Sequence, residues 1–219
     1  MALRLLGLLV ILALLLFIPA GRLNWVEAWV FILGYGIFLF IYAAWALTND
    51  PGQLQERSRT GPNVKAWDRA IIAAYNVLLL VLLLVAALDA GRFHWSTVAL
   101  PLELIAWVGL AAAGALIFWV FATNTYLSRM ARIQSDRGQT VVTSGPYRFV
   151  RHPMYAGLIL MFFCLPLALG SGWGLVPGIA IGLLYFLRTY KEDQMLRHEL
   201  DGYEAYSHQV RFRLIPGVW

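Results

Sequence analysis

The chain has 219 residues, of which 60% are hydrophobic and only 13% are charged, and its formal net charge is +5. Soluble domains carry about 25% charged residues, so this composition excludes an ordinary water-soluble globule and indicates an integral membrane protein. Basic loops beside an anionic membrane leaflet account for the positive charge, so no nucleic-acid partner is predicted.

Six continuous apolar segments predict transmembrane helices, because their hydrophobic residues do not alternate as the residues of barrel strands do. In chain order they are 5–20, 25–47, 71–88, 98–122, 155–169 and 174–187. The last two are short, and Gly170-Ser171-Gly172 between them predicts a helical hairpin. The predicted fold class is therefore an all-α, polytopic transmembrane helix bundle with about six spans.

The first segment follows Arg4 and resembles a signal peptide in outline, but no small-x-small cleavage site follows Ile18. A retained helix is predicted. Residues 49–69 are predicted as a cytoplasmic loop, which begins with the turn Asn49-Asp50-Pro51-Gly52. Residues 1–122 then form an N-terminal unit of four spans. Residues 123–219 form a second unit, with a cytoplasmic loop, the helical hairpin and a C-terminal cytoplasmic helix.

The basic residues predict the orientation of the chain. Of the 17 lysines and arginines, 15 lie in segments that would share one side of the membrane, while Arg22 and Arg92 lie on the other. Cytoplasmic loops carry an excess of basic residues, so both termini, the 123–153 connection and residues 188–206 are predicted to be cytoplasmic. In a bacterium this would be the inner membrane.

A few polar residues inside or beside apolar segments have two interpretations. Glu103 could be a functional intramembrane acid, or an acid about one turn below the surface; the nearby Pro101 suggests a helix start and favours the second. Cys164 is the single cysteine and is predicted to be a structural thiol. His94, His198 and His208 are scattered along the sequence, and none lies at metal-ligand spacing from His152, so no metal site is predicted.

His152 lies between an arginine and Pro153, which disfavours helical geometry at the histidine and favours a helix start at the proline. The histidine is then a cap residue at a helix N-terminus, where an anion would be stabilised. The alternative is an interfacial histidine bonded to a headgroup. Tyr147 and Tyr155 are equally compatible with aromatic residues of the membrane interface.

Arg188 and Glu192 are four residues apart and share one face of a predicted helix. An i,i+4 ion pair is the simplest interpretation of this spacing. The functional alternative separates them: Glu192 would bind a ligand ammonium or ribose hydroxyl, and Arg188 a substrate carboxylate.

The combination of motifs in the C-terminal half is more specific than any one of them. Its parts are Gln134; Gln139-Thr140-Val141-Val142-Thr143-Ser144-Gly145-Pro146-Tyr147; Arg151-His152-Pro153-Met154-Tyr155-Ala156-Gly157; Arg188-x-x-x-Glu192-Asp193-x-x-Leu196; Tyr203-x-x-Tyr206; and Arg213-Leu214-Ile215-Pro216-Gly217. This pattern resembles the isoprenylcysteine carboxyl methyltransferase family, and related phospholipid methyltransferases share its broader form. The resemblance covers about residues 120–217.

The resemblance implies an S-adenosylmethionine site at the cytoplasmic membrane surface. The residues that would surround this cofactor are Gln134, Gln139, Thr140, Val141, Val142, Tyr147, His152, Pro153, Met154, Tyr155 and Glu192. Arg188 would face the methyl acceptor. The family usually has two glutamates where this chain has Glu192-Asp193, and the shorter Asp193 is expected to reach its partner less well.

The expected partner is a lipophilic or lipid-modified acceptor that arrives laterally from the bilayer. A carboxylate is already ionised at neutral pH, so its methylation needs positioning but no general base. An amine or thiol would have to lose a proton, with His152 or Glu192 as candidate bases. This difference favours a carboxylate, such as an isoprenylcysteine-like or isoprenoid acid.

Two other functions fit parts of the sequence. NADPH-dependent membrane sterol reductases also carry an Arg-His-Pro-x-Tyr-like element near the C-terminus, although this chain is short for that class. A transporter or membrane scaffold would be expected to place ionisable residues along a midplane path, whereas the charges here gather at one face.

Overall fold

A computed structural model describes residues 2–58 and 64–219, and in these ranges the chain forms helices and no strand. The α-helices are α1 (Ala2–Ala20), α2 (Val26–Asn49), α3 (Pro51–Ser58), α4 (Ala66–Ala86), α5 (Leu100–Thr123), α6 (Pro153–Ala168), α7 (Leu175–Glu199) and α8 (Tyr203–Gln209). A π-helix, Ala87–Phe93, continues α4, and two 3-10 turns, Ser135–Arg137 and Gly145–Arg148, lie in the connection between α5 and α6. The predicted all-α class is confirmed.

Four helical segments are long and apolar enough to cross a membrane: Leu3–Ala20, Val26–Asn49, Ala66–Phe93 and Leu100–Thr123. They correspond to the first four predicted spans. The helix α6 is apolar but has only 16 residues, and α7 carries charged side chains in its C-terminal half. The count of six spans therefore stays a prediction.

The helices α6 and α7 form the predicted helical hairpin. The turn between them includes Gly170 with φ +79°, a conformation that glycine adopts without strain. A Cβ atom at Gly178 of α7 would lie 2.5 Å from the carbonyl oxygen of Phe162 in α6, so the two helices approach closely there. The helix α7 continues unbroken from Leu175 to Glu199, so residues 188–199 extend the second helix of the hairpin as predicted, while residues 203–209 form the separate helix α8.

A buried carboxylate fixes the hairpin turn to the rest of the bundle. Asp89, in the π-helix, accepts hydrogen bonds from Ser96 (N, 2.7 Å; Oγ, 2.6 Å), Ser171 Oγ (2.6 Å) and Trp173 N (3.2 Å). These donors come from the α4–α5 connection and from the turn between α6 and α7. Because they satisfy the carboxylate, the register of the hairpin relative to α4 is fixed at this end.

Residues 49–69 differ from the predicted loop, because α3 forms within them. Asp50 accepts a hydrogen bond from the backbone N–H of Gln53 (3.0 Å), and Pro51 occupies the first helical position. An aspartate cap followed by proline is a helix-starting sequence, which the prediction of a simple turn overlooked. The turn residues are present, but they connect two helices.

Two isolated polar residues lie where the sequence suggested. Glu103 is in the first turn of α5 and accepts a hydrogen bond from Trp107 Nε1 (3.4 Å). Its position at the helix start agrees with an acid close to the surface. Cys164 is a free, half-buried thiol in α6.

The side chain of Gln53 joins three helices at the end of the bundle that contains α3. Its Oε1 accepts a hydrogen bond from Tyr42 of α2 (3.0 Å), and its Nε2 donates to the carbonyl oxygens of Phe121 (3.0 Å) and Asn124 (2.8 Å) at the end of α5. The residue is fully buried. The amide therefore fixes α3 against both membrane helices.

Replacing Gln53 by methionine keeps the volume and removes these bonds. A buried polar group left without a partner costs roughly 1–3 kcal/mol, and each kcal/mol lowers Tm by about 2–4 °C in a chain of this size. We expect Gln53→Met to lower the thermal midpoint of the detergent-solubilised protein by several degrees. Gln209→Met, at an exposed position of α8, is the control and should leave it unchanged. Equal midpoints for the two variants would contradict this role of Gln53.

Candidate active site

A cavity of about 640 Å³ lies between α2, α4, α5, α6, α7 and the α5–α6 connection. This volume falls within the range of about 300–1,000 Å³ that is usual for small-molecule sites. Eleven of the twelve predicted site residues line it: Gln134, Gln139, Thr140, Val141, Val142, Tyr147, His152, Met154, Tyr155, Arg188 and Glu192. The structure thus brings together residues from two segments that are separated by the whole hairpin.

Pro153 is the exception, because it does not line the cavity. It is buried and occupies the start of α6, directly after the cap residue His152. Its fixed φ angle and missing N–H suit the first helical position. Pro153 therefore starts the helix that presents its neighbours, and its cofactor contact stays a prediction.

A continuous chain of contacts links His152 to Glu192. The imidazole of His152 stacks on the ring of Tyr155, with centroids 5.8 Å apart and an interplanar angle of 8°. The hydroxyl of Tyr155 donates a short hydrogen bond to Oε2 of Glu192. His152 is the cap residue of α6 as predicted, but its side chain makes no capping bond and turns to the carboxylate of Asp193 instead.

Arg188 and Glu192 do not form the simple i,i+4 ion pair. Arg188 instead pairs with Asp68 at the start of α4, with 2.8 Å between Nε and Oδ1. Its Nη2 also donates to the carbonyl oxygen of Arg129 (2.9 Å), and its guanidinium lies 5.3 Å from the centroid of the Tyr155 ring. The two side chains are therefore separated, each with a different partner on the cavity wall.

Asp193 is the most highly connected polar group near the site, and it is fully buried. Arg151 binds it through two nitrogens (2.7 and 3.0 Å), Arg213 at 2.9 Å, Arg197 at 3.3 Å and Tyr203 at 3.0 Å. The Nε2 of His152 is 3.3 Å away. The expectation that this shorter side chain reaches its partner less well is wrong, since the partners converge on it.

These contacts determine the protonation states around Asp193. Burial alone would raise the pKa of the Asp193 carboxyl, but hydrogen bonds from His152 and Arg151 outweigh it and hold the pKa well below 3.8. Burial raises the pKa of the Tyr203 phenol, so this hydroxyl stays protonated and donates to Asp193. Asp193 is therefore a permanent anion and is fully occupied by the protein, which leaves Glu192 as the carboxylate that faces the cavity.

The segment before α6 supplies a different kind of surface. Gln134 is locked by the protein: its Nε2 donates to the carbonyl oxygen of Tyr126, its Oε1 accepts from Arg137 (2.7 Å), and its N–H bonds Gln139 Oε1 (2.7 Å). By contrast, the backbone of residues 140–142 makes no hydrogen bond to any residue that the structure describes. The three residues line the cavity, and their backbone groups have no partner in the described part of the chain.

Sequence reasoning missed one half of this cavity. Its wall also contains aromatic and apolar side chains of α2, α4, α5 and α6, and four further arginines; they are Tyr35, Phe38, Leu39, Tyr42, Ile72, Tyr75, Ile117, Phe121, Leu158, Met161, Arg57, Arg129, Arg132 and Arg151. In the sequence these residues look like ordinary span or loop residues. Asp68 was missed for the same reason, because it lies between Lys65 and Arg69 and reads as one more surface charge.

Fold and site together define a helical membrane protein with a polar, aromatic-lined cavity at one end of its bundle. Residues 104–200 match the family model described as phospholipid methyltransferase, which confirms the resemblance from α5 to the end of α7. This region is therefore similar to phospholipid methyltransferases.

A curated relative is also similar to part of the chain. Delta(14)-sterol reductase erg24 of Schizosaccharomyces pombe (strain 972 / ATCC 24843) is 30% identical over 96 residues. This stretch is 42% of the present chain and 23% of the reductase, so the match spans less than a quarter of that relative's length.

The structure predicts a large cost for neutralising Asp193. Removing one partner of a buried ion pair costs about 3–5 kcal/mol, so Asp193→Asn should strongly lower the thermal midpoint. Asp136→Asn, which changes an exposed partner of Arg132, is the control and should have little effect.

The pH dependence of the thermal stability lost in Asp193→Asn follows from the lowered pKa of Asp193. A carboxyl whose folded-state pKa is depressed stabilises the protein above its ordinary pKa and loses this contribution only as the pH falls through the folded value. The difference in midpoint between the wild type and Asp193→Asn should therefore stay constant from about pH 8 to about pH 5. A difference that disappears at mildly acidic pH would contradict this role.

Proposed function

We propose that the protein is an integral membrane S-adenosylmethionine-dependent methyltransferase that acts on a lipophilic acceptor, with a carboxylate as the methylated group. The observation that supports this most is the single cavity that collects eleven of the predicted site residues from both motif regions. The match of residues 104–200 to phospholipid methyltransferases supports the reaction class.

The residues present on the cavity wall suit S-adenosylmethionine. Glu192 offers a carboxylate whose second oxygen, Oε1, makes no hydrogen bond within the described chain, and Tyr147, Tyr155 and Tyr203 offer aromatic faces. Carboxylates and aromatic faces both attract a cationic sulfonium or ammonium. The open backbone groups of residues 140–142 can hydrogen-bond a nucleoside base. Gln139, Thr140, Val141, Val142 and Met154 complete this wall, while Gln134 and His152 hold it in shape.

When bound, S-adenosylmethionine would supply a methyl group on a positively charged sulfur. An ionised acceptor carboxylate would take this methyl group without a general base, forming the O–C bond as the S–C bond breaks and the neutral thioether leaves. The chain's task is to position and to stabilise charge. Tyr155 holds Glu192 in place, and Asp68 holds Arg188 where its guanidinium faces the cavity. Asp193 keeps Arg151 and His152 fixed behind this wall, so the site is preorganised.

The acceptor enters from the membrane, and the donor from the cytosol. The helix α2 packs on α1 and α3, while α4 packs on α1, α6 and α7, and both helices contribute residues to the cavity wall. Tyr35 and Phe38 of α2 and Tyr75 of α4 give the wall an aromatic surface that is suited to an apolar chain. The excess of basic residues at this end of the bundle supports a cytoplasmic site and cytoplasmic termini.

The second candidate is an NADPH-dependent reductase related to membrane sterol reductases. The partial match to Delta(14)-sterol reductase erg24 favours it. The family match over residues 104–200 favours the methyltransferase, as does the carboxylate of Glu192, which would repel the phosphates of NADPH.

Glu192→Gln tests the donor site. The amide still accepts the bond from Tyr155 but loses the negative charge, and a hydrogen bond to a charged group contributes about 1.5–3 kcal/mol. We expect the Kd for S-adenosylmethionine, measured by equilibrium dialysis, to rise roughly 10- to 100-fold. Glu199→Gln, on the same helix, breaks only a partly exposed pair with Lys65 and is the matched control. Unchanged affinity in Glu192→Gln would overturn the assignment of Glu192.

Thermal stability separates the two cofactors. A ligand that binds only the native state stabilises it by about 2.7 kcal/mol at 100 times its Kd. We expect S-adenosylmethionine to raise the thermal midpoint of the purified protein and NADPH to leave it unchanged. The reverse result would identify a reductase.

A further inference from the structure

The cavity contains more positive charge than its described carboxylates neutralise. Three arginines on its wall have carboxylate partners: Arg188 pairs with Asp68, Arg151 with Asp193 and Arg132 with Glu56. Two others, Arg57 and Arg129, make no ion pair with any carboxylate in residues 2–58 and 64–219. Arg57 is partly buried and Arg129 is exposed. Two cations on the wall of a cavity that have no carboxylate partner attract an anion.

Arg57 and Arg129 both line the cavity. The guanidinium of Arg57 lies 4.6 Å from the centroid of the Phe121 ring, which in turn packs on Tyr42. Arg129 lies within electrostatic reach of Arg57 and of the phenol of Tyr35. Burial lowers the pKa of Arg57, and the charge of Arg129 lowers it further. The two cations thus come from separate elements, α3 and the α5–α6 connection, and repel each other until an anion joins them.

Neither arginine belongs to the residues proposed to bind the donor. Arg57 lies over the ring of Phe121, which packs on Tyr42 of α2, and Arg129 lies in the α5–α6 connection, where its carbonyl oxygen accepts a hydrogen bond from Arg188. Arginine binds carboxylates and phosphates through a planar pair of N–H donors, and it tolerates aromatic neighbours better than lysine does. The arrangement therefore fits an acidic group attached to a hydrocarbon chain.

We propose that Arg57 and Arg129 form an anion-binding site for the acidic headgroup, carboxylate or phosphate, of a membrane amphiphile. The identification of this amphiphile as the methyl acceptor rests on the proposed function, but binding of the anion does not. Arg188 is already neutralised by Asp68, so the role of holding the acceptor's acidic group passes from Arg188 to this pair.

Binding of radiolabelled hexadecanoate to the full-length protein in nanodiscs of neutral lipid tests the site. Arg57→Gln and Arg129→Gln should each weaken saturable binding by about tenfold or more, which corresponds to about 1.4 kcal/mol. Arg148→Gln, at an exposed position outside the cavity, is the matched control and should bind within about twofold of wild type. Arg57→Lys and Arg129→Lys keep the charge and should retain most of the binding, which separates loss of charge from loss of fold.

Competition identifies the anion. Displacement by hexadecyl phosphate at least as effective as by hexadecanoate would indicate a phosphate headgroup, and displacement by carboxylates alone would indicate a carboxylate; both support the site. Hexadecanol should compete poorly. Equal competition by hexadecanol, no saturable binding in the wild type, or wild-type binding in both glutamine variants would overturn the proposal.

Binding of S-adenosylmethionine by the same variants separates this proposal from the proposed function. We expect Arg57→Gln and Arg129→Gln to keep wild-type affinity for it, whereas Glu192→Gln loses affinity for it and still binds hexadecanoate. Loss of S-adenosylmethionine binding in the arginine variants would assign these residues to the donor and overturn the proposal. Arginine-dependent binding of hexadecanoate by a protein that does not bind S-adenosylmethionine would support the anion site and refute the methyltransferase.

Discussion

The arrangement of the site depends on one buried anion. Asp193 is fully enclosed, and a charge in that position is stable only when ion pairs and hydrogen bonds replace its water. Arg151 comes from the entrance to α6, Arg197 from α7 itself and Arg213 from the C-terminal segment. The backbone of residues 151 and 152 also bonds the carbonyl oxygens of residues 212 and 213. The carboxylate therefore fixes the entrance to α6, the helix α7 and the C-terminal segment relative to one another, beside the cavity.

Pairing of charges also gives the cavity its polarity. Asp68 neutralises Arg188 and Glu56 neutralises Arg132, so these groups shape the wall without giving it a net charge. What remains on the wall is the carboxylate of Glu192 and two arginines without a carboxylate partner, Arg57 and Arg129. Charges of both signs agree with the proposed reaction between a cationic donor and an anionic acceptor.

The match to the phospholipid methyltransferase model and the partial match to the sterol reductase indicate a shared architecture more directly than a shared chemistry. The Arg-His-Pro-x-Tyr element contributes Arg151 and His152 to Asp193, and Pro153 to the start of α6, so much of it builds the scaffold. A scaffold of this kind can be shared by proteins with different cofactors, because function depends on the site that it carries. We therefore expect Glu192, the backbone of residues 140–142 and the arginine pair to be the features that distinguish methyl transfer from reduction.

The sequence by itself determined the all-helical class, four long apolar spans, the hairpin of α6 and α7, and eleven of the residues on the cavity wall. These follow from local features, namely continuous hydrophobic segments, Gly and Pro punctuation, and a motif whose spacing is short. The start of α3 is also encoded locally, by Asp50 and Pro51, but the same residues are typical of turns and led to the prediction of a loop. Only the tertiary structure decided which charges pair. Arg188 bonds Asp68, 120 positions away, and not Glu192 on its own helix. A buried charge needs a partner, and the packing of α4 against α7 brings Asp68 close to Arg188. No local sequence pattern contains this distance.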